Sequence, residues 1–210
     1  VMPKIRQLIE NNKNWAIKKR TEDPEFFQSL VAQQNPEYLW IGCSDSRVPA
    51  NQVVGMAPGE LFVHRNVANQ VIQTDFNCLS VVQYAVDVLK VKHILVVGHY
   101  GCGGVQAAID STSHGLVDNW LFQIRDIHRE YRQQLVGLAA RPLLDRMCEL
   151  NVIEQVRNLA KTTIIQSAWD RGQEVNLHGW VYSIEDGLVR DMNVTVDSRA
   201  ALDEIYHFES

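Results

Sequence analysis

Five stretches of the chain carry apolar residues in short, continuous runs bounded by turn residues, the pattern of buried strands. Tyr38-Leu39-Trp40-Ile41 ends in Gly42-Cys43, and residues 61–67 follow the Pro58-Gly59 turn signal. His93-Ile94-Leu95-Val96-Val97 is the most continuous run, of the kind a parallel sheet buries on both faces. Residues 175–182 follow an Arg171-Gly172 stop. Residues 188–196 return after Asp186-Gly187, a hairpin-type turn that predicts an antiparallel edge.

Elsewhere the spacing is helical. Residues 4–33 carry Ile5, Leu8, Ile9, Trp15 and Ile17, and Pro24 after Asp23 opens a second helix before Pro36 breaks the pattern. Leu79, Val82, Val86 and Leu89 mark one face over residues 76–89. Residues 105–109 start a helix, residues 116–135 and 143–169 read as mostly helical, and Ser198 is placed to cap a last one. The alternation predicts a single α/β domain over residues 1–210, with no repeat or linker. Its expected architecture is a mostly parallel central sheet of about five strands flanked by helices. Residues 1–35 form an N-terminal helical arm, whose apolar positions precede the sheet and predict contact with another subunit.

Composition narrows the function. At 210 residues, 46% hydrophobic and 21% charged, the chain can bury its own core without disulfides. A net charge of −5 and no basic stripe exclude nucleic acid as the main partner. No run approaches the ~18 apolar residues needed to span a bilayer. The first residues lack the apolar core of a signal peptide, so the expected location is cytoplasmic. There, four cysteines favour metal or catalytic use over disulfides.

Two clusters carry the candidate chemistry. Cys43-Ser44-Asp45-Ser46-Arg47 and His99-Tyr100-Gly101-Cys102-Gly103-Gly104 each follow a predicted buried strand. Functional groups of open α/β sheets gather at such carboxyl ends. Two thiolates, an imidazole and a carboxylate make a tetrahedral set for zinc, and Arg47 could draw Asp45 off the metal. Cys43 and Asp45 lie two apart, so on an extended segment they point the same way. A redox pair is a rival for Cys43 and Cys102, though neither stands in a C-x-x-C motif. Cys78 and Cys148 read as small core hydrophobes. A nucleotide loop is a further rival, but Gln106 replaces the third glycine of G-x-G-x-x-G, and no P-loop occurs.

With these residues in view, the chain resembles the β-class carbonic anhydrases, closely those of γ-proteobacterial type. The matching segments are Cys43-Ser44-Asp45-Ser46-Arg47-Val48-Pro49, residues 59–69, residues 98–104 and His178-Gly179-Trp180-Val181-Tyr182. The resemblance implies reversible hydration of carbon dioxide to bicarbonate and a proton, with Zn2+ as cofactor. By position, Cys43, His99 and Cys102 correspond to permanent zinc ligands, and Asp45 and Arg47 to a catalytic dyad. Gln34 (from a neighbouring subunit), Phe62, Val67 and Tyr84 match the substrate pocket. Trp40, Arg65 and Tyr182 match the marks of the bicarbonate-regulated type II subclass. In that subclass the residue matching Asp45 also binds zinc in an inactive form, while bicarbonate occupies a noncatalytic pocket. A homodimer or homotetramer is implied. His64 and His178 are left without a role beyond local hydrogen bonds. Two alternatives stand beside this reading: a noncatalytic zinc-stabilised binding protein, and a related zinc hydrolase acting on another small electrophile such as carbon disulfide.

Overall fold

The computed structural model describes residues 2–32 and 34–208. It divides into two compact units, one up to Asn35 and one from Pro36 onward. The first contains α1 (Met2–Glu22) and α2 (Phe26–Val31). Lys19 and Arg20 lie in the last turn of α1, where cations suit the helix dipole. Trp15 packs edge-on against Phe27, with ring centroids 5.6 Å apart.

The second unit is built on β1 (Tyr38–Cys43), β2 (Leu61–Asn66), β3 (His93–His99), β4 (Asn176–Tyr182) and β5 (Val189–Val196). Their order is β2-β1-β3-β4-β5. The first four are parallel, and β5 pairs antiparallel with β4 as the edge. All the predicted strands form. β1 and β3 are covered on both faces, which explains their continuous apolar runs. The chain leaves β1 toward β2 on one side and returns to β3 on the other. The carboxyl ends of β1 and β3 therefore flank a topological switch point.

The helices are α3 (Ala50–Val53), α4 (Phe76–Gln83), α5 (Gly103–Ile109), α6 (Val117–Glu130), α7 (Arg132–Leu135), α8 (Ala140–Ala160) and α9 (Thr163–Asp170). Leu39, Ile41, Ile94, Val96, Val156 and Leu177 share one core cluster. Trp40, Leu95 and Val97, with partly buried Trp180 and Tyr182, form another with Val48 and Ala50. A third joins Cys43, Ala68 and Cys102 to Val105, Leu121, Ile124 and Cys148.

Several helix ends differ from the sequence expectation. The helix expected over residues 143–169 begins at Ala140 and breaks after Ala160. Thr162 then caps α9 by accepting from Ile165 N–H. The helix expected over residues 116–135 ends at Glu130. The one over residues 76–89 finishes in a wide turn in which Leu89 N–H bonds Tyr84 O, 3.0 Å away. Ser198 caps no α-helix and makes no side-chain cap; only a short 3-10 turn, Arg199–Ala201, follows it. Strands β4 and β5 are joined by the longer loop of residues 183–188, where Asp186 accepts from Leu188 N–H.

Candidate metal centre

β1 and β3 deliver Cys43 and His99 to the switch point as their last residues. Gly101, at φ +67°, turns the following loop so that Cys102 returns beside them. The sulfurs of Cys43 and Cys102 lie 3.9 Å apart. Both sulfurs and a nitrogen of His99 fall within 4.8 Å of one another, and all three residues are buried. His99 Nδ1–H donates to Tyr100 O at 3.0 Å, which leaves Nε2 as the nitrogen with a free lone pair. Nε2 is buried and has no hydrogen-bond partner. A buried, unpartnered imidazole nitrogen facing two thiols is the donor set of a soft divalent ion, and zinc fits it.

The two sulfurs ionise unequally without a metal. Cys102 S–H donates to Cys43, and His99 and the Asp45 and Ala68 backbones also hydrogen-bond that sulfur, holding Cys43 well below the usual thiol range. The same bond to Cys43, with burial, pushes Cys102 far above it.

Asp45 does not stay extended beyond β1. Val48 N–H bonds Asp45 O and turns the chain there. Arg47 grips the carboxylate in a fork, Nε to Oδ1 at 2.9 Å and Nη2 to Oδ2 at 2.7 Å, and Arg47 N–H also reaches Oδ1. This grip holds the Asp45 pKa well below the usual carboxylate range. Asp45 Oδ2 nevertheless remains 3.6 Å from His99 Nε2, beside the ligand cluster.

Arg65 lies next to Gly42 in register and spans the same turn, donating to Cys43 O at 2.9 Å and Asp45 O at 2.5 Å. Strand parity puts Trp40, Arg65 and Tyr182 on one face of the sheet. Trp40 is buried, with its indole lying over Gly42. Val67 is exposed beside the cysteine loop, packed against Gly104.

Phe62 and Tyr84 meet each other, with ring centroids 5.9 Å apart. They do not line the metal centre of their own chain. Phe62 pairs with Leu39, four residues before Cys43, which is about 13 Å along the strand at ~3.3 Å per residue. Gln34 is exposed in the first unit.

A second convergence, His64, Asp75 and Cys78, is not a ligand set. Two bonds to Gln70 fix the Asn66 amide so that its Nδ2 donates to His64 Nε2, and the other ring nitrogen of neutral His64 carries the proton. Cys78 and Cys148 are core residues, and burial pushes both thiols up to about 12. His178 pairs with His93 at 3.1 Å and with Thr195 at 3.2 Å.

The sequence reading missed the bend after β2. Ala68 and Asn69 both adopt left-handed φ, +64° and +48°, and the Ala68 N–H is the one that reaches the Cys43 sulfur. Asn151 and Gln155 meet this bend from α8. Their only sequence signal is a pair of polar residues at i, i+4 in a run that is otherwise apolar.

Comparison with known proteins agrees with the geometry. A family model described as "Carbonic anhydrase" matches residues 38–189. A carbonic anhydrase of Emericella nidulans is 48% identical over 189 residues, covering 90% of this chain and 83% of that one. The structure of a Coccomyxa β-carbonic anhydrase in complex with acetazolamide superposes with a TM-score of 0.89 at 42% identity, covering 92% of this chain and 88% of that one. A tetrameric β-carbonic anhydrase from Sordaria macrospora gives 0.87 at 36% identity, covering 92% and 99%.

Proposed function

This chain belongs to the β-class carbonic anhydrase family, and from that premise we propose that it interconverts carbon dioxide and bicarbonate at a zinc held by Cys43, His99 and Cys102. The observation that carries the reading is the unpartnered, buried Nε2 of His99 facing two buried thiols at the switch point. Bound there, zinc supplies Lewis-acid chemistry, bringing the pKa of a coordinated water toward neutrality. Asp45 stands beside that position, accepts a hydrogen bond from the attacking water and aims its lone pair at the substrate. Arg47 keeps the carboxylate in that pose. A permanently closed four-ligand site would have Asp45 turned toward the ligands, so the Asp45–Arg47 pair favours catalysis over a noncatalytic zinc protein.

We further propose that Asp45 is a switch of the bicarbonate-regulated type. Turned from Arg47 onto the metal, it would complete the set and shut the site. Arg65 ties its guanidinium to the Asp45 carbonyl, so an anion drawing on Arg65, the Trp40 indole and the Tyr182 phenol would pull on that turn. Such an anion favours the closed form only by binding it better. For the substrate pocket we propose that a second copy brings Phe62, Tyr84 and Gln34 to Val67 in a homodimer or homotetramer.

Zinc analysis with stopped-flow carbon dioxide hydration across pH tests both statements. The expected result is bound zinc, activity lost to a chelator and restored by zinc, and a steep fall below about pH 8. Zinc without hydration at any pH overturns the activity, and a flat profile overturns the switch alone. Trp40→Phe or Tyr182→Phe should weaken bicarbonate inhibition while zinc content holds.

A further inference from the structure

Residues 66–71 form a bend in which side chains satisfy the backbone group by group. Trp120 Nε1 donates to Val67 O at 2.7 Å, Asn151 Nδ2 to Ala68 O at 2.9 Å, and Val71 N–H donates to Gln155 Oε1 at 2.8 Å. Asn66 pairs with both the N–H and the carbonyl of Gln70. Asn151 is fully buried, and its own oxygen is held by Gln155 Nε2 at 3.0 Å. At the centre stands Ala68, left-handed without being glycine, its N–H on the Cys43 sulfur. Gly104 packs on its far side, where a Cβ would come within 3.1 Å of Ala68 Cβ. A peptide plane is rigid, so a donor that fixes the following carbonyls also fixes where this N–H points.

We propose that Asn151, braced by Gln155, is a positioning residue of the metal centre: it clamps the left-handed turn at Ala68 and so keeps a backbone hydrogen bond on the Cys43 thiolate. This rests on the metal reading of Cys43, His99 and Cys102. A hydrogen bond to a ligating sulfur draws off charge that the sulfur would otherwise give to the metal. The polar network around the bend therefore tunes the centre from a helix that holds none of its ligands.

NMR on isotope-labelled, cadmium-loaded protein decides the first half: the Ala68 amide proton should show scalar coupling to the metal through the sulfur. In cobalt(II)-loaded Asn151→Leu, the thiolate-to-metal charge-transfer band should move to lower energy, and metal release to a chelator should quicken about tenfold. Adding Ala68→Gly, which takes left-handed φ unaided, should return the band toward its original energy. Absent coupling in the unmutated, metal-loaded protein overturns the proposal, whether or not Asn151→Leu folds. So does a folded Asn151→Leu with an unmoved band, which would make Asn151 a packing residue. Failure of the unmutated protein to take up cobalt overturns the metal reading itself.

Discussion

Arg47 is 55% exposed in its side chain, a position where an isolated ion pair adds little to stability. Its fork on Asp45 matters for direction, since it decides which way a carboxylate beside three ligands points. Arg47→Ala should leave the fold and zinc content intact and lower carbon dioxide hydration about a hundredfold, the scale of losing one oriented polar group. Arg47→Lys should rescue little, because an ammonium cannot grip two oxygens in a plane. Metal analysis beside stopped-flow rates checks this, and near-normal hydration by Arg47→Ala would show that Asp45 needs no holder. The ligands and the dyad were legible in the sequence because their chemistry lies in the residue types and they stand in two short clusters. The bend that touches Cys43 was not. Its donor is the backbone of an alanine, and the clamp, Asn151, comes from 83 residues away. Phe62 and Tyr84 illustrate a different limit: residue type marked them as apolar, and only the register showed how far from Cys43 they stand.

Strands were easier to read than helix ends, for a physical reason. A strand buried on both faces must be apolar at nearly every position, so β1 and β3 announce themselves. The break between α8 and α9 leaves no such mark. Lys161 and Thr162 interrupt a spacing that continues on both sides, and the break is set by the Thr162 hydroxyl turning back to Ile165 N–H. Likewise, nothing in the sequence says that α4 ends in a turn one residue wider than a helix. Packing between elements is also invisible until the register is known. Gly179 in β4 lies under α8, where a Cβ would sit 2.6 Å from Val194 Cγ1, 2.9 Å from Val152 Cγ1 and 3.1 Å from Val156 Cγ2. These are stiff, branched side chains from two elements, and they have little room to yield. Gly179→Ala should therefore cost about 1–3 kcal/mol of stability, read as a lower denaturant midpoint. An unchanged midpoint would mean that α8 and β5 shift freely against β4.

One chain leaves its substrate pocket unfinished. Val67 is exposed beside the cysteine loop, while Tyr84 and the ring of Phe62 sit back along β2. Phe76, Tyr84 and Val88 recur every four or eight residues along α4 and its terminal turn, and all three are exposed. A row of large apolar side chains on one face is costly to leave in water and is suited to covering by another chain. If a second copy covers this row, the same contact presents an aromatic wall to the neighbour's metal centre, so assembly and activity should fail together. Tyr84→Arg places a charge in the middle of the row without touching a metal ligand. It should reduce the particle to monomer in light scattering coupled to gel filtration, abolish most carbon dioxide hydration and leave zinc content unchanged. A fully active monomer would show that each chain completes its own pocket. An intact oligomer that loses activity would place Tyr84 in the pocket and move the interface elsewhere.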